Sequence, residues 1–272
     1  MCPILFHIGP LPVYGFGMML ALGFIAGSYF LTLEFKRRKL DPAIANNITL
    51  IALIAGVAGS KILYLIEHFD EFLASPLRMA FNPGGVTFYG GFLLAAFAIY
   101  LYGRNKGIRF FTIGDAIAPG MMIGYGIARI GCHLAGDGDY GFPTTLPWGT
   151  DYSRGTFPPS AAFRGFPEIT SKFPGGIVPD TTPCHPTPVY EFIACALLFW
   201  FLWRIRKKTE PTGKLFMIYL MLAGIERFLI EFIRPNPRIA LGLTEAQLIA
   251  IVIIVLGFAG WRKYSTAPRT NS

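Results

Sequence analysis

Three basic residues stand where a bilayer would exclude them. Lys61, Arg129 and Arg227 each fall inside a long apolar block of this 272-residue chain. A charge at the centre of a spanning helix costs roughly 2.5–3.5 kcal/mol on insertion scales, so each needs a partner or a ligand. Arg129 lies in Gly124-Tyr125-Gly126-Ile127-Ala128-Arg129-Ile130-Gly131-Cys132-His133, with Asp137 and Asp139 following. The functional reading is an anion-binding guanidinium with acid–base groups beyond it, and the plainer reading is a structural ion pair beneath a surface cap. His133 and Asp137 are four apart and share a face if the helix continues past them.

A second run, Glu226-Arg227-Phe228-Leu229-Ile230-Glu231-Phe232-Ile233-Arg234, sets Arg227, Glu231 and Arg234 along one side of a helix. Glu231 fits an Arg–Glu ladder. Two arginines on separate helices make a clamp for one phosphate, because guanidinium matches its oxygens bidentately. Two further segments carry polar groups at block ends. Tyr89 sits between the pairs Gly84-Gly85 and Gly90-Gly91, either as an interfacial aromatic or with its hydroxyl on a substrate. Glu191 follows His185-Pro186-Thr187-Pro188-Val189-Tyr190 and serves either as a helix-start charge or as a partner for Arg129 or Arg227.

The elements that must position these groups are membrane helices. Only 15% of residues are charged, against about 25% in soluble domains. Apolar blocks at 11–33, 44–66, 85–103, 113–135, 188–204, 213–233 and 244–261 each approach the ~20 residues of a spanning helix. They are continuous, not alternating, which excludes a β-barrel reading. The expectation is an all-α polytopic protein of about seven transmembrane helices forming one domain over 1–272.

Basic runs set its orientation. Lys36-Arg37-Arg38-Lys39, then Arg104, Lys106 and Arg109, then Arg204, Arg206, Lys207, Lys208 and Lys214, then Arg262, Lys263 and Arg269 alternate with segments poorer in Lys and Arg. This places the N-terminus outside and the C-terminus in the cytoplasm. The net charge of +8 is accounted for by these runs, and no nucleic-acid motif accompanies them.

The longest connection, 136–187, reads as an external loop or head region. Its aromatics, among them Tyr140, Trp148, Tyr152, Phe163 and Phe173, argue against disorder. A short interfacial helix is expected around 68–81. Without a basic n-region, the first block reads as a retained anchor and not a cleaved leader. Cys2, Cys132, Cys184 and Cys195 form no CxxC, and the four histidines form no HxxxH pair, so no metal or other cofactor is expected. Cys132 and Cys184 flank the same loop, as two thiols or as a disulfide.

Taken in order, these segments resemble the prolipoprotein diacylglyceryl transferase family. The likeness runs from Ile8-Gly9-Pro10 and Tyr14-Gly15-Phe16-Gly17 through the Gly-Gly-x-x-Phe-Tyr-Gly-Gly stretch, the Arg129-x-Gly131 core and the His185-Pro186…Tyr190-Glu191 turn to Arg227…Glu231-Phe-x-Arg234. The resemblance implies transfer of a diacylglyceryl group from phosphatidylglycerol to the lipobox cysteine of a preprolipoprotein signal peptide, in the bacterial cytoplasmic (inner) membrane. It implies that Arg129 and Arg227 are the family's two essential arginines on the lipid phosphate.

The chain departs from the family at several positions. Tyr89 replaces a His, and Cys132-His133-Leu134-Ala135-Gly136-Asp137 replaces Asn-Phe-x-Asn-x-Glu. Phe16 and Ala223 replace tyrosines. The family's Glu corresponds to Asp137, or to Asp139 in another placement. The expected catalytic set is therefore His133, Asp137, Arg129 and Arg227, with Tyr89, Asp139, Glu191, Glu231 and Arg234 beside the two arginines in substrate binding. A different class is open as well: a lipid-binding or transport protein that kept the phosphate site without transfer chemistry. A third is a membrane transferase that alkylates another thiol.

Overall fold

A computed structural model describes residues 1–82 and 87–266. Two of the expected calls, Gly84 and Gly85 of the glycine pairs, lie outside the described residues. The chain opens with an antiparallel hairpin of β1 (Ile4–Ile8) and β2 (Leu11–Tyr14). The long helices are α1 (Gly15–Arg37), α2 (Pro42–Glu67), α5 (Phe88–Asn105), α6 (Phe110–Ala135), α9 (Thr187–Ile205), α10 (Lys214–Ile230) and α11 (Glu245–Thr266). Each of the seven apolar blocks thus holds one helix. The short helices α3 (Phe69–Ala74) and α4 (Pro76–Phe81) lie between α2 and α5, and α7 (Pro159–Ala162) and α8 (Pro167–Thr170) lie between α6 and α9. A second hairpin, β3 (Arg238–Ala240) and β4 (Leu243–Thr244), leads into α11.

Among the described residues five segments are long and apolar enough to cross a bilayer: Gly15–Arg37, Pro42–Glu67, Phe110–Ala135, Thr187–Ile205 and Glu245–Ser265. Large apolar side chains stand exposed on four of them. Ile25, Ile54, Leu197 and Val255 are each about 60% exposed, as expected of helices whose outer faces meet lipid instead of water.

The expectation of an all-α chain needs correction at its hairpins. Pro10 and Pro12 disfavour a helix there, and Gly9 takes a left-handed turn at φ +59°, so the first apolar block yields a hairpin before α1 begins at Gly15. The interfacial helix expected around 68–81 is broken in two, because Pro76 cannot donate to the preceding turn.

The chain divides into two compact units, Phe30–Ala116 and the remainder (Met1–Tyr29 with Ile117–Ser272). Within the first, α2 packs on α5 where Gly59 meets the Gly90 carbonyl, a contact with no room for a Cβ. Glu34 and Asp115, both buried, take the basic run at the end of α1. Arg37 pairs with Glu34 at 2.7 Å, and Arg38 reaches Glu34 at 3.6 Å and Asp115 at 3.7 Å. Lys61, inside α2, donates to the Asn82 carbonyl at 2.7 Å.

Within the second unit α10 packs along α11. The 136–187 connection is ordered around its own core of Tyr140, Tyr152, Phe163, Ile169, Val178 and Cys184. Tyr140 stacks on Tyr152 with ring centroids 4.1 Å apart. Thr150 and Cys184 exchange backbone hydrogen bonds at 2.9 and 3.0 Å, which ties the first third of the loop to its far end. All four cysteines are free thiols.

Candidate active site

Helix α6 supplies the first arginine. It approaches α9 so closely at Gly126 that a Cβ there would stand 2.8 Å from the Cys195 Cβ. The absent side chain brings Glu191, on the first turn of α9, within reach of Arg129. Arg129 Nε donates to Glu191 Oε2 at 2.6 Å, and Nη2 lies 2.5 Å from the same oxygen. Its Nη1 donates to Asp139 Oδ2 at 2.5 Å and to the Cys132 thiol at 3.4 Å.

Helix α10 supplies the second arginine. Arg227 Nη2 pairs with Glu231 at 3.0 Å, and its Nη1 reaches Glu191 Oε1 at 3.4 Å. Arg234, in the turn after α10, pairs with Asp139 and lies 3.9 Å from Glu191. Asn236 holds the other Glu231 oxygen at 2.5 Å.

Arg129, Arg227, Arg234, Asp139, Glu191 and Glu231 therefore form one cluster, contributed by α6, the following loop, α9 and the end of α10. Glu191 is fully buried, and Glu231, Arg129 and Arg234 are at most 8% exposed. Arg227 and Asp139 are the open members, with side chains 29% and 34% exposed. Both ion pairs weighed for Glu191 are present, and the i,i+4 pair of Arg227 with Glu231 is formed.

Sequence reasoning passed over three supports. Tyr125 OH donates to Glu191 Oε1 at 3.0 Å, one helical turn before Arg129. Thr187 Oγ1 donates to the Asp139 carbonyl at 2.7 Å. Tyr152 OH lies 3.0 Å from His133 Nδ1. The Tyr125–Arg129 spacing is visible in the sequence, whereas the other two depend on how the loop folds.

The shared helical face expected for His133 and Asp137 is not formed. Helix α6 ends at Ala135, and Gly136 turns the chain at φ +58°, a conformation that favours glycine. His133 faces the buried Tyr152, whose hydroxyl is kept protonated by burial and by neighbouring Cys184. Asp137 turns toward Cys132 and Asp139 instead, and these three offer ligand atoms within 4.8 Å of one another. The Arg129 guanidinium, bonded to two of the three, opposes a cation there.

The two aspartates differ in charge state. Burial and the Asp139 charge push the Asp137 carboxyl above its ordinary range. Burial also pushes Asp139 up, but Arg234 and Arg129 outweigh it and hold that carboxyl below the ordinary range. Asp137 is thus the better proton acceptor and Asp139 the fixed anion. Tyr89, at the start of α5, belongs to the other compact unit and is 46% exposed.

This arrangement of buried arginines and carboxylates accompanies similarity along nearly the whole sequence. The family model for prolipoprotein diacylglyceryl transferase matches residues 3–262. The chain belongs to that family. It is 31% identical over 258 residues to a phosphatidylglycerol–prolipoprotein diacylglyceryl transferase of Clostridium tetani, covering 94% of this chain and 95% of that protein. A protein of the same name from Dehalococcoides mccartyi is 31% identical over 93% of this chain and 90% of its own length. One from Leptospira interrogans is 27% identical over 93% and 91%.

Proposed function

We propose that this protein transfers the diacylglyceryl group of phosphatidylglycerol to the lipobox cysteine of a preprolipoprotein, forming a thioether and releasing glycerol 1-phosphate. One observation supports it above the others: arginines from two helices meet at a single buried carboxylate, Glu191. Family membership supplies the donor and the acceptor.

In the reaction the acceptor thiol gives up its proton, its sulfur bonds to the glyceryl carbon that carries the phosphate ester, and that carbon–oxygen bond breaks. The electron pair leaves on the phosphate oxygen. Arg129 and Arg227 stabilise the departing charge, which is worth most in a site with little water. The thiol is inert until deprotonated. His133, held by Tyr152, and Asp137, beside Cys132, are the acceptors for that proton. Arg234 and Asp139 hold Arg129 in place, and Glu231 holds Arg227.

The seven long helices span the bacterial cytoplasmic membrane as one domain in this reading. The N-terminus and the 136–187 head lie outside, and the C-terminus lies in the cytoplasm. The direct test incubates the purified protein with phosphatidylglycerol and a fluorescent lipobox peptide. The wild type adds a diacylglyceryl mass to the peptide and releases glycerol 1-phosphate. Headgroup binding without either product establishes the lipid-binding alternative instead. A His133→Ala variant that keeps the full rate removes His133 from the mechanism and leaves Asp137.

A further inference from the structure

A groove of about 530 Å³ lies beside the charged cluster, within the ~300–1,000 Å³ range of small-ligand sites. Its walls are His133 from the last turn of α6, Trp148 and Thr150 from the head loop, and Val189, Tyr190 and Ile193 from α9. The same two helices carry Arg129 and Glu191. His133 follows Arg129 by four residues, about 6 Å along the helix axis, and Tyr190 immediately precedes Glu191. The groove and the cluster are therefore neighbouring faces of one pair of helices.

The geometry points to this groove as the seat of the acceptor peptide, holding the apolar run that leads to its cysteine. The inference rests on the transferase reading and specifies where the second substrate lies. A two-substrate transfer needs two sites of different chemistry. The arginine cluster suits the anionic lipid headgroup, and no Lys, Arg, Asp or Glu lines the groove. That matches the uncharged apolar stretch and small residues at the end of a signal peptide.

The polar tips in the groove favour a peptide over an acyl chain. The Trp148 indole N–H donates to Tyr190 OH at 2.8 Å, and His185 Nδ1 lies 3.3 Å from the same hydroxyl. His133, steadied at Nδ1 by Tyr152, leaves its other ring nitrogen for a partner. A hydrocarbon chain uses none of these groups, whereas peptide N–H and C=O must be satisfied where water is scarce. Trp148 and Ile193, both more than half exposed, leave the groove open at its rim. A peptide lying along it brings its cysteine toward His133 at one end.

The test uses the full-length protein in phosphatidylglycerol-containing micelles. The probe is a lipobox peptide carrying a photoreactive diazirine residue just before its cysteine. Crosslinks mapped by mass spectrometry are expected at 148–150 and 189–193. An Ile193→Trp change fills the groove from an exposed position. It is expected to abolish those crosslinks and raise the peptide KM about tenfold or more, while the lipid KM moves less than twofold. Trp148→Ala, which opens the rim without adding bulk, is expected to raise the peptide KM several-fold. Crosslinks confined to other segments overturn the assignment, and so does a rise in lipid KM with the peptide KM unchanged, which makes the groove an acyl-chain site. Wild-type transfer with neither variant affected overturns the groove and keeps the transferase reading. Groove crosslinks without any transfer overturn the transferase reading and keep the groove as a peptide site.

Discussion

Two ion clusters stand out among the described residues, and they are built differently. The Glu34, Arg37, Arg38 and Asp115 cluster is nearly local: three of its four members come from the end of α1 and the residue after it, at i,i+3 and i,i+4 spacings. The Arg129 cluster joins residues as much as 95 positions apart, and one carboxylate serves three arginines. The first arrangement ties down the end of a basic helix. The second gathers charge from several segments onto one point. Buried charge alone therefore does not mark a site in this protein. Convergence of three arginines from distant segments on one carboxylate does.

The sharpest way to break this contrast is to weaken each cluster and read activity and stability separately. Arg129→Lys keeps the charge but cannot bridge Glu191 and Asp139 together. It is expected to lower kcat/KM for transfer by about 10²–10³-fold, read by peptide mass gain. Glu34→Gln is expected to leave transfer at the wild-type rate while destabilising the protein by about 3–5 kcal/mol, since two arginines lose a buried partner. That change is read from the thermal midpoint in detergent. If Glu34→Gln also abolishes transfer, the division into staple and site is wrong.

Smaller effects sharpen it. Arg227→Lys removes a two-pronged contact at the most exposed arginine of the cluster and should raise the lipid KM about tenfold with little change in thermal midpoint. Acidification tests Asp139. Its carboxyl is held below the ordinary range by Arg234 and Arg129 despite burial. Its stabilising contribution is therefore present above the usual carboxylate pKa of about 3.9 and is lost as pH falls through the lowered folded value. A thermal-midpoint profile should drop on that acid limb, and Asp139→Asn should flatten the drop.

The helices were legible because bilayer-length apolar blocks leave few alternatives. The β1–β2 and β3–β4 hairpins were not, since segments of two to five residues carry no periodicity to read. At the site, Arg129, Arg227, Glu191 and Glu231 could be singled out because a charge in an apolar block is costly and spacing names its helical partner. The pairing of Arg234 with Asp139 was out of reach, because it depends on the path of the 136–187 loop. The His133–Asp137 face failed for a local reason: Gly136 takes a left-handed turn that ends the helix one residue before Asp137.

Glu191 has a consequence for the idle protein. With the two glutamates and Asp139 ionised, the three arginines and three carboxylates of the cluster cancel, so the helices can wait in hydrocarbon without an anion in place. A lipid phosphate then arrives as a competitor for guanidinium already taken. Its entry is an ion exchange, in which a carboxylate must yield its arginine for the phosphate to seat. A neutral headgroup would find nothing to trade.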